Sequence, residues 1–309
     1  MRPLQSFLLL ITLALACADP ASGASAWRER RAESHEAGER TGAIALPAGT
    51  DVLRDVAYGP DPAQKLDVYR SGNDANAPVI VMVHGGAWSF GDKANRGVVE
   101  NKVAHWLPKG FIFISIGYRM LPAQDALAQA DDVARALAFA QSHARDWGGD
   151  PGRFVLMGHS AGAHLVALLA AAPAKAYALG AHRWLGTVSL DSAAIDVPEL
   201  MRQRHLPFYD RAFGSDPVHW RLASPIDMLT TNATPVLAVC SQQRGDKSCG
   251  PAGDFVARIR SLSQHSELLE EDLSHGQINE QLGRPGAYTA AVDAFIDGLL
   301  ALPPGTAKR

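Results

Sequence analysis

The segment from Phe154 to Ala172 constrains the fold of this chain more than any other. An apolar run at residues 154–157 leads into a G-x-S-x-G pattern at 158–162, and an apolar helical stretch follows from Ala163. A strand that turns this sharply into a helix brings the residues two before and two after the serine together, so both must be glycine. The pattern predicts a strained backbone at Ser160, with its hydroxyl at the positive end of the helix. Ser160 is therefore the candidate nucleophile.

A second glycine-rich turn lies upstream, after a fully apolar, β-branched run at residues 79–83. Such a run is typical of a strand that is buried on both faces of a sheet. It ends in the residues HGGAW at 84–88, where glycine lets the main chain approach a substrate closely. We predict the backbone N–H groups of Gly86, Ala87 and Ala161 as oxyanion-hole donors. We expect His84 to hold this loop by side-chain hydrogen bonds.

A serine nucleophile needs a histidine base and a carboxylate, and both follow downstream. Asp246 comes after an apolar run at residues 235–240, and His275 comes after a short strand-like segment near Leu268. The order serine, acid, histidine favours Asp246 and His275 as the partners of Ser160. We predict that His275 lies in a loop and takes the proton of the serine, and that Asp246 fixes the tautomer of the imidazole.

These segments together resemble the kynurenine formamidase-like and carboxylesterase-like branch of the α/β-hydrolases. The matching motifs are HGGAW at 84–88, GHSAG at 158–162 and SHG at 274–276, with further matches at 115–122 and 147–151. The resemblance extends from about Asp51 to about Leu302. It implies the α/β-hydrolase fold, a serine triad and a hydrolase without a cofactor. The chain departs from the family in the loop before Asp246, which is longer than the usual acid turn.

The resemblance indicates serine hydrolase chemistry more strongly than it indicates a substrate, because esterases and formamidases share these motifs. The first hypothesis is an enzyme that cleaves small to medium carboxylic esters through an acyl-serine intermediate. An arylformamidase that acts on formamides is the alternative. A binding protein that keeps the fold without the chemistry is a third hypothesis. It is disfavoured because the serine, the acid, the histidine and the oxyanion loop (residues 84–88) are all present.

Composition is consistent with one enzyme domain that has a large core. The chain has 309 residues, of which 47% are hydrophobic and 20% are charged. A net charge of −3 and scattered lysines and arginines disfavour a nucleic-acid partner. The sequence contains no motif for a phosphate-binding loop, a dinucleotide or a zincin metal, so no cofactor or metal is expected. The expected partner is a small-molecule ester, and the oligomeric state stays open.

The order of strand-like and helical segments predicts an α/β fold with a mostly parallel central sheet flanked by helices. The strands near Val52–Tyr58 and Lys65–Tyr69 are expected to be antiparallel at one edge. An insertion at about 192–231 separates two predicted strands and is expected to form a small cap. Four residues near the nucleophile, the oxyanion loop or this cap are candidates for substrate binding: Trp88, His159, Phe208 and Tyr209.

The N-terminus reads as a secretory signal at residues 1–24. Arg2 precedes a short apolar run that ends in small residues, with cleavage expected after Ala16 or Ala24. The protein is therefore expected to be exported, either periplasmic or secreted. Cleavage after Ala16 would leave Cys17 first, and lipidation there is the one route to a membrane that the sequence offers. A polar linker at 25–45 and a catalytic domain at 46–304 are expected to follow.

Export bears on the remaining cysteines. If Cys17 belongs to the signal region, Cys240 and Cys249 are left as a pair in an oxidising compartment. We predict a disulfide between them, which would clamp the loop that carries Asp246. Two separate thiols are the alternative.

Overall fold

The computed structural model describes residues 44–72, 75–262 and 264–301. In these ranges eight strands form one sheet: β1 (Asp51–Ala57), β2 (Lys65–Arg70), β3 (Ala77–Val83), β4 (Ile112–Ile116), β5 (Gly149–His159), β6 (Gly186–Leu190), β7 (Val236–Ser241) and β8 (Ser266–Glu271). Ten α-helices accompany the sheet: α1 (Arg96–Trp106), α2 (Ala126–His143), α3 (Ala161–Ala171), α4 (Ala174–Ala178), α5 (Val197–Arg202), α6 (Pro207–Phe213), α7 (Pro217–Leu222), α8 (Cys249–Ser261), α9 (His275–Gln281) and α10 (Ala287–Leu300).

The sheet has the order β1-β2-β4-β3-β5-β6-β7-β8. β1 pairs antiparallel with β2, and β2 pairs antiparallel with β4. All other pairs, from β4 through β3 to β8, are parallel. The predicted architecture, mostly parallel with antiparallel strands at one edge, is thereby confirmed. In such a sheet the carboxyl ends of the parallel strands lie along one edge, where ligand sites of open α/β sheets form.

Helices cover both faces of the sheet because its central strands are apolar on both. Along β3, Val79, Val81 and Val83 pack into the cluster that contains residues of α2 and α3. Ile80 and Met82 pack into the opposite cluster, which contains residues of α1 and α10. The five side chains are buried, so the rigid sheet fixes the ends of its strands, where the candidate residues lie.

The start of one helix differs from the sequence-based expectation. His275 begins α9, so the prediction that it lies in a loop is wrong. Ser274 and Gln277 form a capping box: the serine side chain accepts from the Gln277 N–H, and the glutamine side chain accepts from the Ser274 N–H.

The predicted insertion contains three short helices, α5, α6 and α7, between β6 and β7. In the part of the chain that the structure describes, no helix is both long and apolar enough to cross a bilayer. The predicted signal sequence with Cys17, and the linker up to residue 43, lie outside the described residues.

Candidate active site

The predicted strand–turn–helix at Ser160 is present. Ser160 lies between the last residue of β5 and the first residue of α3, at φ 54° and ψ −116°, a conformation that is strained for a residue with a side chain. A Cβ atom at Gly158 would lie 2.4 Å from the carbonyl oxygen of Gly162, and one at Gly162 would lie 2.2 Å from that of Val83. Both positions therefore exclude any residue but glycine. The Ser160 N–H donates to Leu190 O at 2.9 Å, which ties the turn to β6.

The glycine-rich loop after β3 packs directly against this turn. A Cβ at Gly85 would lie 2.9 Å from the Cβ of Ser160. The next three residues, Gly86, Ala87 and Trp88, all have positive φ (116°, 47° and 59°). The loop forms a turn in which Gly86 O accepts from the N–H groups of Ser89 and Phe90, and backbone N–H groups in such turns can bind an anion. Ala161 is the first residue of α3, so its N–H has no acceptor within the helix.

His84 stabilises the oxyanion loop through contacts with Tyr118 and Gly85. Its ring stacks on Tyr118, with the centroids 4.5 Å apart, and the Tyr118 hydroxyl donates to His84 O at 3.0 Å. Burial lowers the pKa of His84, so the ring is neutral at neutral pH. Its Nδ1 lies 2.7 Å from Gly85 O and donates to it, since a carbonyl can only accept. The expected structural role of His84 agrees with these contacts.

His275 forms its carboxylate contact with Asp191, the residue that follows β6. The distance from His275 Nδ1 to Asp191 Oδ2 is 2.6 Å. The other oxygen, Oδ1, accepts from the Ser241 N–H at 3.0 Å and from the Ser248 hydroxyl at 2.8 Å. Burial by itself raises the pKa of Asp191, but the hydrogen bond from His275 and the charge of Arg244 outweigh it, and the pKa lies far below its usual range. Asp191 is thus a carboxylate at neutral pH.

The prediction of Asp246 as the acid on His275 is wrong. Its carboxylate pairs with Arg244, whose Nε donates to Asp246 Oδ1 at 2.8 Å and whose Nη2 donates to Oδ2. The Asp246 side chain is 32% exposed, whereas that of Asp191 is 0% exposed. Asp191 also satisfies the order serine, acid, histidine. The sequence signal that could have found it is its place directly after the buried strand that neighbours the serine strand.

His159, the variable residue of the serine turn, helps to place His275. It is buried, and its ring centroid lies 4.6 Å from that of His275. Burial and then the nearby His275 keep the pKa of His159 well below its usual range. The neutral ring donates from Nε2 to the carbonyl oxygen of His275 at 3.0 Å. This bond fixes the start of α9 against the end of β5.

Trp88 connects the oxyanion loop to the nucleophile helix and the cap. Its Nε1 donates to His164 Nδ1 on α3 at 3.2 Å, and His164 Nε2 donates to Ala223 O at 2.6 Å. Burial lowers the pKa of His164 to about 4, so the ring accepts on one side and donates on the other. The Trp88 ring also meets Phe213 edge-on at 4.9 Å and Tyr209 at 5.9 Å. The cap is therefore fixed directly to the oxyanion loop.

A cavity of about 1780 Å³ brings these groups together. Its walls include the nucleophile turn, the acid and histidine, and all four predicted substrate-binding residues: Ser160, Asp191, His275, Trp88, His159, Phe208 and Tyr209. Much of the remaining wall is polar or charged: Asp196, Glu199, Gln203, Arg204, His205, Asp246, Asp254, Gln277 and Glu280. Among the described residues, no group of three or more His, Cys, Asp or Glu side chains is arranged to hold a metal ion.

The predicted disulfide between Cys240 and Cys249 is confirmed, with the two Cα atoms 5.1 Å apart. It joins the end of β7 to the start of α8 and encloses the loop between them. That loop begins and ends with the two donors to Asp191 Oδ1, which are Ser241 and Ser248. The disulfide therefore supports the acid, although the acid is not the residue that the sequence predicted.

Comparisons with known proteins show that the chain is similar to esterases. The family model BD-FAE matches residues 66–189. Esterase LipC of Mycobacterium tuberculosis is 33% identical over 269 residues, which cover 79% of this chain and 64% of LipC. Isoprenylcysteine alpha-carbonyl methylesterase ICME of Arabidopsis thaliana is 37% identical over 117 residues, 38% of this chain and 27% of that protein. The chain thus spans less than two thirds of either relative.

Among solved structures, a truncated carbohydrate esterase from gut microbiota superposes with a TM-score of 0.70 at 18% identity. The match covers 84% of this chain and 99% of that one. At this identity the likeness shows the fold alone, and it agrees with the α/β architecture described above.

Proposed function

Because the chain belongs to the carboxylesterase-like branch of the α/β-hydrolases, we propose that it is a serine esterase that cleaves small to medium carboxylic esters. The observation that carries the proposal is the convergence of three groups on one cavity. Ser160 lies in its strained turn, and His275 lies hydrogen-bonded to the buried carboxylate of Asp191. A nucleophile, a base and an orienting acid are the requirements for acyl transfer through an acyl-serine.

In the proposed acylation step, Ser160 Oγ attacks the ester carbonyl carbon and His275 Nε2 accepts its proton. The imidazolium is stabilised because Nδ1–H already donates to Asp191. The oxyanion that forms accepts hydrogen bonds from the N–H groups of Gly86, Ala87 and Ala161. Collapse of the tetrahedral intermediate breaks the bond to the alkoxide, which leaves as the alcohol with the proton from His275. Water then repeats the sequence on the acyl-serine and releases the acid.

The cavity wall supports a preference for short acyl chains. Burying each methylene group stabilises a complex by about 0.8 kcal/mol when its surroundings are apolar. Here the aromatic residues Trp88, Phe208 and Tyr209 form one part of the wall, and charged side chains such as Asp196 and Glu199 form much of the rest. A long alkyl chain would have to lie against these charged groups and displace their water, which offsets the gain.

The test is a comparison of kcat/KM for purified protein on aryl acetate, butyrate, hexanoate and decanoate, with N-formylkynurenine as the formamide. We expect the short esters to be hydrolysed fastest and Ser160→Ala to lose turnover on all of them while it stays folded by circular dichroism. A preference for the formamide would replace the esterase by the arylformamidase alternative. A preference for decanoate would contradict the argument from the polar wall.

Export belongs to the same proposal. It rests on the signal-like segment before residue 24, and the disulfide is consistent with an oxidising compartment. We propose a periplasmic or secreted enzyme, anchored to a membrane only if Cys17 is lipidated. Intact mass and N-terminal sequencing of the mature protein from a cell fraction would decide between cleavage after Ala16, cleavage after Ala24 and a lipid-modified Cys17. A full-length, cytosolic product would refute export.

A further inference from the structure

Arg244 occupies the space between the two acidic residues and the histidine. Its Nη1 lies 3.2 Å from both Asp191 O and Asp191 Oδ2, and 2.7 Å from His275 Nδ1. Its Nε and Nη2 face Asp246. The Arg244 side chain is only 15% exposed, which is uncommon for a charged group unless it is paired, and both of its ion-pair partners are carboxylates. Neither the family resemblance nor the proposed reaction assigns a role to this residue.

The two short contacts of His275 Nδ1, to Asp191 and to Arg244, bear on which tautomer of the imidazole is present. Nδ1 has one position in the ring plane, which holds either a proton or a lone pair. With the proton it donates to Asp191, and Nε2 carries the lone pair that accepts the proton of Ser160. With the lone pair it would accept from Arg244, and Nε2 would carry the proton and could not act as a base. The carboxylate of Asp191 favours the first arrangement, and Arg244 contacts the same oxygen, Oδ2.

The charge of Arg244 acts on the same ring. A guanidinium this close disfavours protonation of His275, because the imidazolium would place a second positive charge beside it. The buried carboxylate of Asp191 favours that charge, so Arg244 offsets part of its effect. Asp246 in turn offsets part of the charge of Arg244 and holds its planar group by two hydrogen bonds.

We propose that Arg244 is a positioning residue of this active site, which orients the Asp191 carboxylate toward His275 and extends the activity of the neutral histidine to lower pH. The proposal rests on the serine esterase function. In this proposal Asp246 acts indirectly, as the carboxylate that holds Arg244. The Cys240–Cys249 disulfide closes the loop on which both residues lie.

Other charged or titratable groups also face His275 or its partners, and the test must separate them from Arg244. They come from six elements: Lys102 on α1, His159 on β5, Asp191 after β6, Tyr209 on α6, Asp246 after β7 and Tyr288 on α10. Each of these groups is left in place when Arg244 is replaced. A change in the pH profile of an Arg244 variant therefore reports on the guanidinium itself.

The experiment measures kcat/KM against pH for wild type, Arg244→Gln, Arg244→Lys and Asp246→Asn on an aryl acetate. The acidic limb of this profile reports the ionisation of the catalytic base. We expect Arg244→Gln to move the limb to higher pH by about one unit, and Arg244→Lys, which keeps the charge, to leave it close to wild type. Asp246→Asn should move the limb in the opposite direction by a smaller amount, because the charge of Arg244 is then less offset.

Arg258→Gln is the matched control, because it removes one positive charge from an exposed position on α8, the helix that follows the loop. It should leave the profile unchanged. A merely structural role for Arg244 predicts lower stability or lower kcat with the limb in place, or limbs that move in the same direction in the Gln and Asn variants; either result overturns the proposal. If Arg244→Gln does not fold, the limb of Asp246→Asn decides: a shift to lower pH supports the proposal, and an unchanged limb or a shift to higher pH overturns it.

A second readout does not need turnover. In ¹⁵N-histidine-labelled Ser160→Ala protein, the His275 ring resonances, assigned through His275→Gln, can be followed with pH. Their titration midpoint should rise on adding Arg244→Gln and fall on adding Asp246→Asn. Midpoints that do not move would refute the role of Arg244. If instead Ser160→Ala retained esterase activity, the proposed function would fail, and this titration would still report on Arg244 and His275.

Discussion

Replacing Asp191 by asparagine should remove most of the activity, and the structure indicates why. The amide keeps the shape of the carboxylate but loses its charge. Oδ1 accepts from Ser241 and Ser248, so the amide oxygen must stay on that side to keep both bonds. The amide nitrogen then faces His275 Nδ1, where the carboxylate oxygen lay at 2.6 Å. An amide N–H can only donate, so His275 is driven to the tautomer whose Nε2 carries the proton.

The expected size of the loss follows from this change of tautomer. The same change in a serine triad costs about 10⁴-fold in kcat, which corresponds to roughly 5.5 kcal/mol in the activation free energy. Asp246→Asn should behave differently, because Asp246 contacts Arg244 and is one-third exposed. We expect it to lose less than about tenfold at the plateau of the pH profile, in line with the small contribution of partly exposed ion pairs.

The assay is kcat/KM on an aryl acetate for both variants at a pH on the plateau. Circular dichroism and urea unfolding establish that each variant is folded. Losses of the same size in the two variants, or a larger loss in Asp246→Asn, would show that Asp191 is not the acid that orients His275. That outcome would restore the assignment made from the sequence.

Three further results are expected. Replacing Cys240 and Cys249 together by alanine should lower the free energy of unfolding, measured in urea, by about 2–3 kcal/mol. It should also lower kcat, because the loop that holds Asp191 loosens. An unchanged kcat would show that the disulfide does not support the active site. The pKa of Asp191 is lowered on folding, so its contribution to stability is complete above its unfolded pKa of about 3.9 and is lost as the pH falls toward the folded value. The free energy of unfolding of wild type should therefore fall more than that of Asp191→Asn between about pH 5 and pH 2. Parallel curves of the free energy of unfolding against pH would refute this. Gly162→Ala should cost about 3 kcal/mol or more, because its Cβ would meet Val83 O at 2.2 Å, whereas Gly298→Ala, with nothing within 4 Å, should be tolerated.

The parts of the site that sequence predicts well are those fixed by local structure. The turn at Ser160 and the oxyanion loop depend on glycines whose positions are dictated by contacts within a few residues, or between two adjacent strands. The sheet likewise follows from runs of apolar residues that are recognisable one strand at a time. Chain order and motif identify His275, but they do not predict that a capping box begins α9 at this residue.

The acid could not be found in the same way. Asp191 and Asp246 follow neighbouring strands, and both satisfy the chain order. The choice between them depends on which side chain fills the space beside His275. Arg244 occupies that space on the β7 side and pairs with Asp246, while Asp191 receives two donors from the disulfide-closed loop. The two contacts to Asp191 join residues that are 50 and 57 positions apart in the sequence, and no local pattern encodes them.

Covalent labelling with a fluorophosphonate tests the central claim most directly. Such a probe reacts with an activated serine, and the cavity also contains Ser192 and Ser274, which serve as internal controls. We predict that intact mass shows one adduct per chain, that peptide mapping places it on Ser160, and that activity is lost in proportion to labelling. Ser160→Ala and His275→Ala should not be labelled at the wild-type rate. An adduct on another serine, or full activity in protein labelled at Ser160, would contradict the account.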